Sequence, residues 1–186
     1  TKLYKYSIEN IPKVISGYNK KSLNKIYEIY KIIFKSIFRA ESIEIAEMSK
    51  LVENSYRAVN IGLANELKTI CHKLKIDINQ VLTAAKTKPF GFNAFFPGPG
   101  VGGHCIPVDP VFIKWIAEKN KIDANFINLA HSTNLKITKW VISQIFKYDP
   151  LIKSKKNKIK ILLIGLAYKA DVNDVRESPS LKIYKS

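Results

Sequence analysis

The chain has eight glycines and eight prolines, and ten of these sixteen residues fall between positions 86 and 110, in KTKPFGFNAFFPGPGVGGHCIPVDP. Proline removes a backbone donor and glycine weakens both helix and strand interiors. Residues 86–110 are therefore predicted to form a loop with no regular secondary structure. Long ordered loops of this kind are usually functional.

The flanking segments read as helices. LNKIYEIYKIIFKSIF puts Leu23, Ile26, Tyr27, Tyr30, Ile33, Phe34 and Ile37 on one stripe, predicting a helix over 22–38. A longer helix is predicted from near Ser42 to about Leu74, with no proline. Its one glycine, Gly62, suggests close packing against a neighbour. Asp77 is a predicted N-cap for a short helix over 78–85. Helical periodicity resumes from Val111 to about Phe146. Residues 1–20 look irregular, with Pro12 and Gly17 as breakers. KIKILLIGLAYK ends an apolar run in glycine, as a buried parallel strand would, and DVNDVRESPSLKIYKS reads as a loop entering a helix. The fold class expected is mainly α, with one strand and helix of an α/β unit at the end.

Charge and composition exclude more than they assign. The net charge of +16 admits a nucleic-acid partner. The lysines are spread along the chain beside abundant Ile and Asn, as an AT-rich genome would encode them, so a solvated lysine surface is favoured. Only Lys153, Lys155, Lys156, Lys158 and Lys160 cluster, in and just after the expected linker. No apolar run approaches the ~18 residues of a membrane span, and TKLYKYSIENIPKV lacks a signal core. Two cysteines and three histidines at scattered spacings predict neither a disulfide framework nor a metal site. A reduced, cytoplasmic protein that binds no nucleic acid and no membrane is expected.

Within the loop, Gly98-Pro-Gly-Val-Gly-Gly103 matches G-x-G-x-x-G. That fingerprint needs a strand before it and a helix after it. Phe95-Phe96-Pro97 and Cys-Ile-Pro flank it instead, so a dinucleotide site there is rejected. Gly102 and Gly103 let backbone approach a ligand, and His104, Cys105 and Asp109 follow. A thiol beside glycine amides with a carboxylate nearby suits covalent catalysis on a carbonyl. A small cysteine buried in a turn fits the same residues. Cys71, inside a helix, reads as core. Lys50 and Asn54 are spaced to share a helix face, but Glu53 and Arg57 have the same spacing, and exposed side chains would too.

Three segments in order, AEMSKLVENSYRAVNIGLANEL, FFPGPGVGGHCIPVDP and GLAYKADVNDVRESPS, resemble the UDP-glucose/GDP-mannose dehydrogenase family of nucleotide-sugar 6-dehydrogenases. IPKVISG resembles the link leaving that family's N-terminal NAD domain. The resemblance implies a link at 1–20, a helical central domain at 21–150 and a linker at 151–158. Residues 159–186 would begin a Rossmann-like UDP-binding domain whose remainder, like the NAD domain, is expected to be missing. With the NAD domain would go a threonine and a glutamate of the site.

By the same resemblance Cys105 is the nucleophile, Lys50 and Asn54 hold the reacting oxygen and a water, and Asp109 lies beside the water that hydrolyses a thioester. Phe95, Phe96, Pro97, Gly98 and Gly102 wrap the sugar nucleotide. Lys169 contacts UDP and Arg176 meets the NAD pyrophosphate. Lys88 lies near where relatives carry an arginine that reaches the partner subunit's substrate. Val108 departs from glucose-type members, which have a lysine there. The implied reaction is a two-step oxidation of a UDP-sugar by NAD for surface polysaccharide synthesis. GGHCIPVDP with KTKPFGF upstream is similar to the branch acting on N-acetylhexosamines. UDP-N-acetylglucosamine is preferred, ahead of UDP-N-acetylmannosamine and UDP-N-acetylgalactosamine, with UDP-glucose as a further alternative. A homodimer is expected through the long helix, at Ala58, Gly62 and Ala64. A non-catalytic helical dimerisation module is the alternative of another class.

Overall fold

Asn19 and Ser22 fix where the first helix begins. In the computed structural model, which describes residues 7–148 and 160–186, the Asn19 carboxamide accepts from the Ser22 N–H at 2.9 Å. The Ser22 hydroxyl accepts from the Asn19 N–H at 3.0 Å. This reciprocal capping box opens α1 (Lys20–Ile33). The helix predicted over 22–38 is too long, because Phe34 is already extended and Ile37–Arg39 form a strand, β2. The partner is β1 (Lys13–Ile15), within the segment expected to be irregular. The two run parallel, with Val14 opposite Phe38. A parallel pair needs a crossover, and α1 provides it. Helical periodicity in 22–38 could not reveal β1, whose N–H and C=O groups draw the backbone out of the helix.

The chain divides into two compact units, Thr1–Glu53 and Asn54–Ser186. The boundary falls inside α2 (Ile43–Lys73), the long helix expected from near Ser42. The Ser42 hydroxyl accepts from the Ile45 N–H at 3.3 Å.

In the second unit, α3 (Ile78–Ala85) is capped by Asp77 as expected, the carboxylate accepting from the Asn79 N–H at 2.9 Å. Cys71, Ile78 and Leu82 form a buried cluster with Leu67 against it, so Cys71 is core. The loop ends at His104, earlier than predicted: α4 covers Cys105–Lys119 and contains two of the five loop prolines. Pro107 lies in the first turn, where N–H groups have no intrahelical acceptor anyway. Pro110 lies inside and denies the Ile106 carbonyl its helical partner.

The single helical run expected over 111–146 is two helices, α4 and α5 (Asn125–Tyr148). Lys121 adopts a left-handed conformation (φ 57°), and the Ile122 N–H returns to the Ala117 carbonyl at 2.9 Å. That closure ends α4. α5 packs against α2 at Gly62, where a Cβ would lie 3.4 Å from Ala130 Cα. The close packing expected at Gly62 is present, but its partner is this chain's own helix. Ala58 and Ala64 are also buried, which corrects their assignment to a dimer contact.

Residues 160–166, predicted as a buried strand, are not a strand, and Leu162 and Ile164 are exposed. A strand requires neighbours to pair with, and none lies beside this run among the described residues. The expected terminal helix is present as α6 (Pro179–Tyr184), with proline in its first turn. The linker expected at 151–158 lies outside the described residues. No described helix is long and apolar enough to cross a membrane.

Candidate functional site

Cys105 is the first residue of α4 and is exposed. Asp109 is one turn later, so the two share a face. The unpaired N–H groups of a first helical turn favour an anion nearby. Asp109 accepts a hydrogen bond from the carboxamide Nδ2 of Asn54, across from α2. Asn54 is 1 % exposed, so a residue that spacing alone could have left in solvent is enclosed. Its Oδ1 accepts from Arg57 Nη2 at 2.6 Å. The result is one connected chain: a guanidinium, a carboxamide, and a carboxylate one turn from a thiol.

Lys50 also lies on α2, in the first unit, with Nζ 2.9 Å from Glu53 Oε2 and both side chains largely exposed. Lys88 is exposed in the turn after α3 and is not joined to this group by any bond described here.

Asparagines hold the loop of residues 86–104. Asn65, fully buried, accepts from the Gly98 N–H at 3.0 Å and donates to Asn134 Oδ1 at 3.0 Å. Asn134 donates onward to the Ala58 carbonyl at 2.9 Å, and Thr138 donates to the Pro99 carbonyl at 2.7 Å. Phe95 packs edge-on against Tyr56, ring centroids 5.7 Å apart. Phe96 is half exposed, and Pro97 lines a cleft of about 460 Å³ with Lys68, His72 and Trp140. Sequence reasoning missed Asn65, Asn134 and Thr138. The available signal was polar side chains at helical spacing within otherwise apolar stretches of α2 and α5.

Gly102 and Gly103 were expected to admit a ligand. They face the segment 166–179 instead. A Cβ on Gly103, whose φ is +86°, would sit 2.8 Å from the Tyr168 ring, and one on Gly102 would sit 2.7 Å from Tyr168 Cβ. The Gly103 N–H donates to the Arg176 carbonyl at 2.9 Å. Arg176 and Lys169 thus belong to a turn seated on the cysteine loop, with Lys169 exposed. The Arg176 guanidinium grips Asp174, with Nη2 2.6 Å from Oδ2. That hydrogen bond holds the Asp174 carboxyl below its ordinary range and raises Arg176. The G-x-G-x-x-G match has no strand before it, as expected, although a helix does follow it. No group of three or more His, Cys, Asp or Glu among the described residues could hold a metal.

Residues 44–136 match the model of the UDP-glucose/GDP-mannose dehydrogenase family, central domain. The chain belongs to this family. It is 40% identical over 182 residues to the UDP-N-acetyl-D-mannosamine dehydrogenase of Methanococcus vannielii, covering 98% of this chain and 41% of that protein. It is 39% identical over 175 residues to the Escherichia coli K12 protein of the same name, covering 92% and 41%. The structure of a UDP-D-ManNAc dehydrogenase from Pyrococcus horikoshii superposes with TM-score 0.86 at 31% identity, covering 99% of this chain and 43% of that one. The chain therefore spans about two fifths of the length of the curated relatives it matches.

Proposed function

We propose that this chain is the thiol-bearing central part of an NAD-dependent nucleotide-sugar 6-dehydrogenase whose substrate is UDP-N-acetyl-D-mannosamine. The observation that carries the reading is the contact of Asn54 with Asp109, one helical turn from Cys105. The names of the matched relatives support the mannosamine epimer over the glucosamine expected from sequence.

The chemistry is a four-electron oxidation at the sugar's C6. NAD supplies the hydride acceptor, and the Arg176 guanidinium, two-thirds exposed, is open to its pyrophosphate. The described residues contain no strand-fed phosphate loop, so Arg176 is one contact and not a cofactor site by itself. The C6 alcohol loses a hydride and a proton to become an aldehyde. Cys105 Sγ then adds to the carbonyl carbon, and the oxygen takes up a proton. A second hydride and proton leave this thiohemiacetal, giving a thioester. Water attacks the thioester carbon, the C–S bond breaks, and the carboxylate and thiol are released. Asn54 holds the water. Asp109, on the same helical face as Cys105, accepts the water's proton. Phe95 to Gly98 and Lys169 line the UDP-sugar path.

The test uses a chimera in which this chain carries the flanking sequence of the M. vannielii relative. NADH release is expected with UDP-N-acetyl-D-mannosamine, and more slowly with the glucosamine epimer. Cys105→Ser is expected to slow turnover by about 1,000-fold. Wild-type turnover by that variant would refute the nucleophile.

The enzyme is a homodimer across α2. Small residues at 58, 62 and 64 are used within the chain, so the pairing face carries Tyr56, Leu63 and Ile70, all half exposed. A monomer by sedimentation at high micromolar concentration would exclude it.

A further inference from the structure

Arg57 has no role in the proposed reaction, yet it touches Asn54, which is almost wholly buried. Asn54 is a carboxamide, and its oxygen and nitrogen ends are alike in shape and opposite in hydrogen bonding. Its neighbours decide which way it points. A guanidinium only donates, and an ionised carboxylate only accepts. Arg57 Nη2 lies 2.6 Å from Oδ1, and Nδ2 donates to Asp109. Turning the amide over would set NH2 against the guanidinium and the carbonyl against the carboxylate, replacing two attractive contacts with two repulsive ones. Burial keeps bulk solvent from compensating a flipped amide.

We infer that Arg57 is a positioning residue: it locks the Asn54 carboxamide with its NH2 toward Asp109, and through that bond sets the Asp109 carboxylate. What the locked pair then does rests on the dehydrogenase reading; the locking does not. Asp109 alone would favour the same orientation by one bond. With Arg57 the preference is enforced from both ends, so that Asp109 keeps one rotamer along α4 beside Cys105.

The experiment has two arms. In the first, side-chain amide hydrogen exchange is measured on the chain, the Asn54 signals being assigned by their loss in Asn54→Ala. The Asn54 NH2 is expected to exchange slowly. Arg57→Met is expected to speed it by about ten- to hundredfold, the weight of one hydrogen bond to a charged partner. Arg57→Lys, still a donor-only cation, is expected to retain most of the protection. Arg57→Gln replaces the Met variant if circular dichroism shows that variant unfolded. Unchanged protection in a folded Arg57→Met or Arg57→Gln protein overturns the proposal.

The second arm measures steady-state kinetics in the M. vannielii chimera. Arg57→Met is expected to lower kcat at least about tenfold with KM for the UDP-sugar little changed, and Arg57→Lys to recover part of the loss. Lost protection with unchanged kcat overturns the positioning role. A parent chimera that oxidises no UDP-sugar counts against the dehydrogenase reading alone, and the exchange arm then decides whether Arg57 locks Asn54.

Discussion

Residues 86–104 and residues 160–166 both lack helix and strand, and both are rich in residues that favour burial, but only the first run is held in place. Gly98 and Pro99 are bonded to Asn65 on α2 and Thr138 on α5. Asn93 donates to the Tyr56 hydroxyl at 3.2 Å, and Phe95 rests on the same ring. In 160–166, Leu162 and Ile164 are 83 % and 86 % exposed, and the bond that ties the run down comes at its end, from Ser178 to the Leu166 carbonyl at 2.6 Å. An irregular segment becomes fixed when neighbours supply partners for its backbone. An apolar segment stays unplaced until another strand pairs with it.

The largest effect that would break this contrast comes from Asn65. Asn65→Ala leaves the part-buried Gly98 N–H and the buried Asn134 carboxamide oxygen without their partner. Loss of roughly 3 kcal/mol is expected, since each stranded group costs about 1–3 kcal/mol. Urea unfolding of the second unit measures it. A loss below about 1 kcal/mol would mean that the asparagines do not hold the loop.

A smaller effect is expected at Gly103, which joins the two regions. Its φ of +86° and the 2.8 Å approach to Tyr168 both disfavour a side chain. Gly103→Ala is expected to cost roughly 2 kcal/mol and to release the turn at 168–176 from the cysteine loop. Limited proteolysis should then cut near Lys169 at least several-fold faster, while helix content by circular dichroism stays the same. Unchanged cleavage would show that the turn is not seated through Gly103.

These two positions also mark what the sequence could and could not show. The loop itself, α2, the Asp77 cap and the grouping of Cys105 with Asp109 were legible, because proline, glycine, cap residues and helical spacing act locally. Strand β2 was not, because its cause is β1, more than twenty residues earlier. Asn65 and Arg57 were not, because an asparagine or arginine on a helix becomes informative only when the residue across from it is known. The glycine pair at 102–103 was noticed for the right property, close approach, and given the wrong neighbour: Tyr168 occupies the space that a ligand was expected to enter. The helical end of the loop at Cys105 was hidden by Pro107 and Pro110, which read as breakers although a first turn tolerates the former.

The smallest effect is expected at Leu162, and its size should depend on what surrounds it. In this chain the side chain is almost wholly exposed, so Leu162→Asp removes no packing and should change stability by less than about 0.5 kcal/mol. The apolar run IKILLIG nevertheless has the composition of a strand buried on both faces. Supplied with the flanking sequence of the M. vannielii relative, it is expected to gain strands to pair with and helices to cover it. There Leu162→Asp buries a charge without a partner, and a cost of about 3 kcal/mol or more is expected. The measurement is paired: the same substitution in the chain and in the chimera, both followed by urea unfolding. Equal effects in the two proteins would mean that residues 160–166 do not become a strand when neighbours are present. An effect confined to the chimera would show that this run differs from the 86–104 loop only in lacking its partners.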